Sequence, residues 1–159
     1  MTVVNLIFIF GAKYLSLLVI LFAFFWFLNQ PRVRKKESLI LICICLPLIF
    51  VAAVVASHIY YNPRPFVAQQ VKSLIAHKPD NGFPSHHVLL VSSLSAIIFI
   101  FSKRLGFFLW ALTLLVGFSR VYVGVHHVSD IVGSILISVS IVSLTYFLYP
   151  KRGKPYAEK

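Results

Sequence analysis

The sequence Gly117-Phe-Ser-Arg-Val-Tyr-Val-Gly-Val-His-His-Val-Ser-Asp130 places an arginine, two histidines and a carboxylate inside a chain that is otherwise mostly apolar. Asp130 follows His126 by four residues, so if this segment is helical the two side chains lie on one face, one turn apart. A carboxylate so placed can hold one imidazole N–H and leave the other ring nitrogen free for chemistry. Arg120 adds a planar cation suited to phosphate oxygens. The stretch therefore predicts a phosphate site with a reactive histidine.

The composition around this stretch is that of an integral membrane protein. Hydrophobic residues make up 59% of the 159 residues, charged residues only 12%, and the mean hydropathy is +0.89. Such a chain supplies about five spans of roughly 20 residues with short connections. We therefore expect an all-α fold in which residues 1–159 form a single transmembrane helical bundle. The first span, roughly Val3 to Leu28, has no preceding basic residues and no following small-residue cleavage site, so we expect it to be retained.

The net charge of +11 indicates orientation in a membrane, not nucleic-acid binding, because the cations are distributed unevenly between the two sides. We assign span two from about Glu37 to Ile59, span three from the Pro84 segment to about Ser102, span four from Leu105 to Phe118 and span five from after His126 to near Tyr149. This assignment puts ten cations on one side, namely Arg32, Arg34, Lys35, Lys36, Lys103, Arg104, Lys151, Arg152, Lys154 and Lys159. The other side carries Arg64, Lys72, Lys78 and Arg120. The positive-inside rule makes the first group, and with it the C-terminus, cytoplasmic. The N-terminus and the 117–130 stretch are then expected outside.

The same span assignment brings four helix ends to the outer face. Their polar residues are Arg64 after span two, Ser85 and His87 at the start of span three, Arg120 at the end of span four, and His126 and Asp130 at the start of span five. Pro63 and Pro65 stop span two and fix the backbone between them. Pro84 in the first turn of span three leaves backbone N–H groups and the positive end of the helix dipole free for an anion. The ensemble predicts a phosphate site with a nucleophile and a proton donor.

Two other segments allow more than one interpretation. Lys13 lies inside span one, either as a functional amine or as a side chain that snorkels to the interface. Apolar residues 67, 71, 74 and 75 recur at helical spacing, which predicts a short interfacial helix. Lys72, His77 and Lys78 on its polar side can attract an anionic headgroup or remain solvated.

Three motifs also carry a family resemblance. They are Arg64-Pro65, Pro84-Ser85-His86-His87, and Ser119-Arg120 followed after five residues by His126 and after three more by Asp130. They resemble the end of the first, the second and the third signature of the type 2 phosphatidic acid phosphatase superfamily, with His86 where glycine is usual. The match is closest to the bacitracin-resistance type of undecaprenyl-diphosphate phosphatases.

The resemblance implies a role for each matching residue. His126 would attack the terminal phosphorus and become a phosphohistidine, while Asp130 orients its ring. His87 would protonate the leaving oxygen and later help to activate water. The phosphate-binding groups would be Arg64, Ser85, Arg120 and the backbone N–H groups of His86 and His87. Neither a metal nor another cofactor would be needed, because fixed cations and the helix dipole stabilise the developing charge.

The chain departs from the family pattern in two places. Ser57 occupies the position, seven residues before Arg64, at which the superfamily usually has a lysine. Lys13, Lys72 and Lys78 are the candidates to replace that phosphate ligand. The chain also begins almost at its first span, so we expect it to lack an N-terminal segment that longer relatives carry.

We therefore expect a phosphatase of a bacterial cytoplasmic membrane, with its site outside, that hydrolyses undecaprenyl diphosphate to undecaprenyl phosphate. Its partners would be this lipid substrate and membrane lipids. The alternatives are a phosphatase for another lipid phosphate, such as phosphatidylglycerophosphate, and a non-catalytic lipid-binding protein on the same fold. A transition-metal site is a third, with His86, His87, His126, His127 and Asp130 as ligands, but it would leave two arginines beside a cation.

Overall fold

The computed structural model describes residues 2–69 and 72–148. Its helices are α1 Val3–Leu28, α2 Arg32–Ile59, the single turn α3 Pro65–Ala68, α4 His86–Phe101, α5 Lys103–Tyr122 and α6 Val128–Leu148. Within these ranges β structure is limited to an isolated bridge between Pro63 and Asn81. The predicted all-α fold is confirmed. The basic tail after residue 150, and residue 71 of the predicted interfacial helix, lie outside the described residues.

The long helices have the length and composition of membrane spans. In the described part of the chain, α1, α2, α5 and α6 are long and apolar enough to cross a membrane, and α4 is a shorter apolar helix of 16 residues. Large apolar side chains cover the outside of the bundle, among them Phe10, Phe50, Ile59 and Phe147, all more than half exposed. An apolar exterior over an all-helical backbone suits lipid as the solvent. The chain is a multi-pass membrane protein.

Helix α4 lies at the centre, where it contacts α1, α2, α5 and α6. Small polar residues line its contacts: Ser93 donates to Ser138 of α6 at 3.1 Å, and Ser95 shares a hydrogen bond with Thr113 of α5 at 2.9 Å. Serine and threonine permit close helix approach and satisfy each other across the interface. Because α4 touches every other long helix, its N-terminus lies among their ends.

The two ends of the bundle differ in chemistry. At one end, residues 29–31 join α1 to α2 and Ser102 alone joins α4 to α5. The described members of the predicted cytoplasmic group are at this end: Arg32, Arg34, Lys35, Lys36, Lys103 and Arg104. The other end gathers the C-termini of α2 and α5 and the N-termini of α4 and α6, as the span assignment predicts.

The prediction of a short interfacial helix is wrong. Helix α3 ends at Ala68, and residues 72–85 contain no helix. We call residues 72–82 the 72–82 loop; Leu74 N–H donates to Val123 O at 3.0 Å and Gly82 N–H to Asn62 O at 2.8 Å. Its apolar residue Ile75 packs into a buried cluster with Ala12, Val123 and Val125. Ile75, with Leu74 beside it, therefore packs against the protein and not against a lipid surface.

Candidate active site

Arg64 is placed by the break that follows α2. The residue before a proline is held in an extended conformation, and Arg64 has φ −58° and ψ 152° as the N-cap of α3. Its side chain is buried and donates from Nε to Asp80 Oδ1 at 2.7 Å and from Nη1 to Val125 O at 2.8 Å. The same Nη1 lies 3.3 Å from His126 Nε2. The backbone at Arg64 is thus held extended between two prolines, as the sequence predicts.

His126 is placed by a tight turn after α5. Gly124 has φ +77°, a left-handed conformation that glycine adopts without steric cost, and its N–H donates to Val121 O at 3.0 Å. The chain then reverses, and His126 is buried at 3% exposure. Its Nδ1 lies 3.3 Å from Asp130 Oδ2 on the first turn of α6. The predicted pairing across four residues is therefore present.

The neighbours of His126 define its protonation state. Nε2 lies 3.3 Å from Arg64 Nη1 and 3.4 Å from Arg120 Nη2. A guanidinium can only donate, so Nε2 accepts and the ring proton is on Nδ1, which donates to Asp130. Burial, followed in part by the two arginines, holds the pKa of His126 below its ordinary value, although Asp130 acts in the opposite direction. The histidine is thus neutral at pH 7, with a lone pair held between two cations.

Asp130 is fully buried, and each of its two carboxylate oxygens accepts a hydrogen bond from a different donor. Oδ2 accepts from the backbone N–H of His127 at 2.8 Å, besides facing His126. Oδ1 accepts from Asn62 Nδ2 at 2.7 Å. A carboxylate with this number of donors is anionic and fixed in orientation. Asn62 was not predicted from the sequence, although its place two residues before Arg64 puts it at the same helix end.

Ser85 and Arg120 each leave a buried polar atom without a partner. Ser85 caps α4, and its backbone N–H donates to Ser134 Oγ at 2.8 Å, but its own hydroxyl has none. Arg120 donates from Nη1 to Ala12 O at 3.3 Å, while its Nε has none. In the described residues these are the two buried side-chain N or O atoms without a hydrogen bond. Leaving such groups unsatisfied is costly, which makes both atoms candidates to bind a ligand with acceptor oxygens.

His86 and His87 occupy the first turn of α4. Pro84 precedes the cap Ser85, so it lies just before the helix and not in its first turn as predicted. His87 is half-buried and within electrostatic range of Arg120 and His126. The side chain of His86 is exposed, and its backbone N–H, in the first turn of the helix, has no intrahelical acceptor.

The serine at the superfamily's usual lysine position uses its hydroxyl within its own helix. Ser57 donates to Val54 O of its own helix at 2.8 Å. The candidates to replace the lysine, Lys13, Lys72 and Lys78, are all exposed. His77, in contrast, places Nε2 3.4 Å from Arg120 Nη2.

Sequence reasoning missed Asn62 and Asp80 as contacts of the site, and it named His77 only as a residue of an interfacial helix that can attract an anionic headgroup. One signal was available for Asp80, which is one of only four acidic residues in the chain and lies on the same predicted side as Arg64. In residues 2–69 and 72–148, no group of three His, Cys, Asp or Glu side chains is arranged to hold a metal ion. Two guanidinium groups at His126 instead make the site attractive to an anion.

Comparison with known proteins gives both family and fold. The sequence model of the PAP2 superfamily matches residues 51–154. Undecaprenyl-diphosphatase BcrC of Bacillus subtilis is 34% identical over 100 residues, 63% of this chain and 51% of the relative. Bacitracin transport permease protein BcrC of Bacillus licheniformis is 35% identical over 94 residues, 58% of this chain and 46% of the relative. The chain thus spans about half the length of these curated relatives.

A solved structure has the same fold. The crystal structure of Aquifex aeolicus LpxE aligns with a TM-score of 0.73 at 20% identity, covering 92% of this chain and 87% of that one. The alignment extends over nearly all of the bundle, beyond the region that the superfamily model matches. The helical bundle as a whole therefore occurs in a protein of distant sequence.

Proposed function

Because this chain belongs to the PAP2 superfamily, we propose that it is a membrane lipid phosphatase in which His126 is the nucleophile. The observation that carries the proposal is the lone pair of His126 Nε2, held between Arg64 and Arg120 at 3.3 and 3.4 Å. A phosphoryl group entering there would meet a neutral imidazole and two cations at once. The unpartnered Ser85 hydroxyl and Arg120 Nε supply two further donors.

The proposed reaction assigns one step to each of these groups. His126 Nε2 forms a bond to the terminal phosphorus as the bond from phosphorus to the bridging oxygen breaks. His87 gives that oxygen a proton and then, as a base, removes one from the water that hydrolyses the phosphohistidine. Asp130 accepts from Nδ1–H throughout and stabilises the positive ring. Arg64, Arg120, Ser85 and the N–H groups at the start of α4 hold the phosphoryl oxygens.

The proposed substrate is undecaprenyl diphosphate, hydrolysed to undecaprenyl phosphate and inorganic phosphate. It is supported by the name of the Bacillus subtilis relative and by the lipid-facing exterior of the bundle. The second candidate is another lipid phosphate such as phosphatidylglycerophosphate, because Arg64, Arg120 and Ser85 would bind the phosphoryl group and leave the lipid tail unspecified.

The proposed location is a bacterial cytoplasmic membrane with the site on the outer face and the C-terminus in the cytoplasm. The support is the clustering of Arg32, Arg34, Lys35, Lys36, Lys103 and Arg104 at the end of the bundle away from His126. A diphosphate headgroup at the outer surface would then reach the site without crossing the membrane.

The test is phosphate release by purified wild type and His126→Ala in detergent with excess chelator. Undecaprenyl diphosphate and phosphatidylglycerophosphate are offered in parallel. Turnover by the wild type alone is expected, and the preferred lipid identifies the substrate. Absence of turnover with lipid still bound would favour the non-catalytic alternative, and activity that requires an added divalent metal would contradict the proposed chemistry.

A further inference from the structure

The 72–82 loop brings an additional imidazole to the site. His77 Nε2 and His126 Nε2 both lie 3.4 Å from the same atom, Arg120 Nη2. The two rings are steeply inclined, with an interplanar angle of 70° and centroids 6.4 Å apart. Arg120 Nη2 thus stands between two histidines, of which His126 is buried and His77 is open to solvent.

The contacts of His77 define a neutral ring. Nε2 accepts from the guanidinium, since arginine can only donate. The ring proton is therefore on Nδ1, which faces Lys78 O at 3.4 Å. An anion that binds to Arg120 Nη2 would replace His77 Nε2 as the hydrogen-bond acceptor of that nitrogen. His77 Nε2 would then face an oxygen of the anion. It could form a hydrogen bond to that oxygen only if Nε2 itself carried a proton.

Building on the proposed function, we propose that His77 is a substrate-binding residue that takes up a proton when a phosphoryl group enters. In its protonated form it donates from Nε2 to a phosphoryl oxygen beside Arg120. The proton comes from solvent, to which the 72–82 loop is exposed, and returns there when phosphate leaves. No covalent bond to His77 is formed.

The charges around His77 favour this sequence of events. The groups that face it are Arg64 before α3, Arg120 on α5, His87 on α4, His126, and Asp80 and the Lys78 carbonyl on its own loop. Burial, then Arg64 and Arg120, hold the pKa of His77 below its ordinary value, against Asp80 and the carbonyl. A bound dianion offsets the charge of both arginines, so the histidine gains its proton more easily. The site thereby acquires a third cation only when the anion is present.

This role also accounts for the serine at position 57. Its hydroxyl bonds within α2, so this position sends no cation toward the phosphate, and Arg64 follows only after that helix has ended. The 72–82 loop supplies the charge from a different part of the chain, through His77. On this loop it is the imidazole of His77, and not the side chain of Lys72 or Lys78, that contacts Arg120 Nη2.

Sulfate binding to the purified full chain in detergent tests the proposal without turnover. Sulfate is a tetrahedral dianion that does not titrate between about pH 5.5 and 8.5, where histidines do. Calorimetry in buffers of different ionisation heat measures both affinity and proton uptake. The proteins compared are wild type, His77→Ala, His77→Lys and the control His58→Ala, which removes an exposed histidine bonded to its own helix at Val54 O, 2.7 Å.

Proton uptake means that wild-type affinity falls as pH rises. His77→Ala is expected to bind sulfate about tenfold more weakly at the acid end and to take up fewer protons, as loss of a charge-assisted bond requires. His77→Lys, with a permanent charge, should keep most of the affinity and lose the same share of proton uptake. His58→Ala should match the wild type.

Equal affinity and equal proton uptake in wild type and His77→Ala would overturn the inference. Weak binding by both His77→Ala and His77→Lys would overturn it too, because the histidine would then only hold the loop. The two proposals fail separately. If the wild-type protein binds sulfate and takes up protons as expected but hydrolyses no lipid phosphate, only the phosphatase proposal is refuted. If the wild-type protein is active but cannot be distinguished from His77→Ala in sulfate binding, only the role of His77 is refuted.

Discussion

At the scale of single residues, Asp130 determines which nitrogen of His126 is free. Its Oδ2 faces Nδ1 at 3.3 Å, while Asn62 and the backbone of His127 fix the carboxylate from other directions. An isosteric amide in place of the carboxylate can turn its NH₂ toward Nδ1, which moves the ring proton to Nε2. The nucleophile would then lose its lone pair without a change in shape.

Asp130→Asn is therefore expected to lower kcat by about 10²- to 10⁴-fold. It should also lower stability by about 1–3 kcal/mol, because the new NH₂ leaves a buried donor, Asn62 Nδ2 or the His127 N–H, without its acceptor. The measurement is steady-state phosphate release together with thermal unfolding in detergent. Ser57→Ala is the matched control, because that hydroxyl bonds only within α2. A kcat within a factor of about three of wild type would show that Asp130 does not act through the ring, since triad-type carboxylates contribute far more.

The pKa of His126 predicts the acid limb of the pH profile. Because burial and the two arginines lower this pKa, the neutral, reactive form persists below the ordinary histidine value of about 6.5. The kcat/KM profile should therefore fall only at more acidic pH. Arg64→Gln removes one of the lowering charges, so its remaining activity should show an acid limb shifted to higher pH. An unshifted limb in this variant would contradict the electrostatic assignment.

At the scale of elements, glycines set how closely the loops and helices approach. A Cβ at Gly82 would lie 2.9 Å from Asp130 Oδ2 and 3.1 Å from Asn62 O. Both atoms are held by hydrogen bonds, so neither can move without disturbing the site. The 72–82 loop can reach Asp130 only because this residue has no side chain.

Gly82→Ala should consequently reduce kcat more than it reduces stability, because it displaces the carboxylate that orients His126. Paired activity and unfolding measurements on wild type and Gly82→Ala check this. Ala76→Gly, on the exposed surface of the same loop, is a control for changes in loop flexibility. Full activity in Gly82→Ala would show that the loop tolerates a wider spacing.

The α4–α5 hairpin depends on Gly106 in a different way. An added Cβ would lie 2.6 Å from Phe99 Cα, which is backbone and cannot rotate aside. Gly106→Ala should destabilise the bundle by roughly 1–3 kcal/mol through overpacking, far from the active site. Unfolding in detergent measures the loss, with lipid-facing Leu115→Ala as the reference substitution. An unchanged unfolding midpoint would contradict the close helix crossing.

The sequence predicted these elements well where hydropathy governs them. Span one was predicted at its observed limits, and the motif prolines correctly located the end of α2. Helix α2 begins at Arg32, earlier than the predicted Glu37, because a charged first turn at a membrane surface has no hydropathy signal. The interfacial helix failed because the spacing of Leu74 and Ile75 does not reveal which surface they pack against.

At the scale of the whole molecule, one end of the bundle carries the site and the other the cations. We expect the 72–82 loop outside the cell and the start of α2 inside. After Cys43 and Cys45 are replaced by serine, Lys78→Cys should react with a membrane-impermeant maleimide on intact cells. Lys36→Cys should react only after permeabilisation. The reverse pattern would place the site in the cytoplasm.

The candidate site itself was predictable as far as its residues occur in ordered motifs. Arg64, Ser85, Arg120, His126 and Asp130 are brought together, because alternating spans place their helix ends at one face. Asn62, His77 and Asp80 join them through hydrogen bonds that depend on the course of the 72–82 loop. No periodic pattern encodes such a course, so these contacts required the structure.

The most direct test of the central claim is to trap the phosphorylated enzyme. Undecaprenyl diphosphate with radiolabel in its terminal phosphate is mixed with the full chain and quenched in alkali, where phosphohistidine survives. We predict label on His126 that is lost on mild acid treatment and is absent from His126→Ala. Turnover without labelled protein, or label that persists in His126→Ala, would contradict catalysis through this histidine.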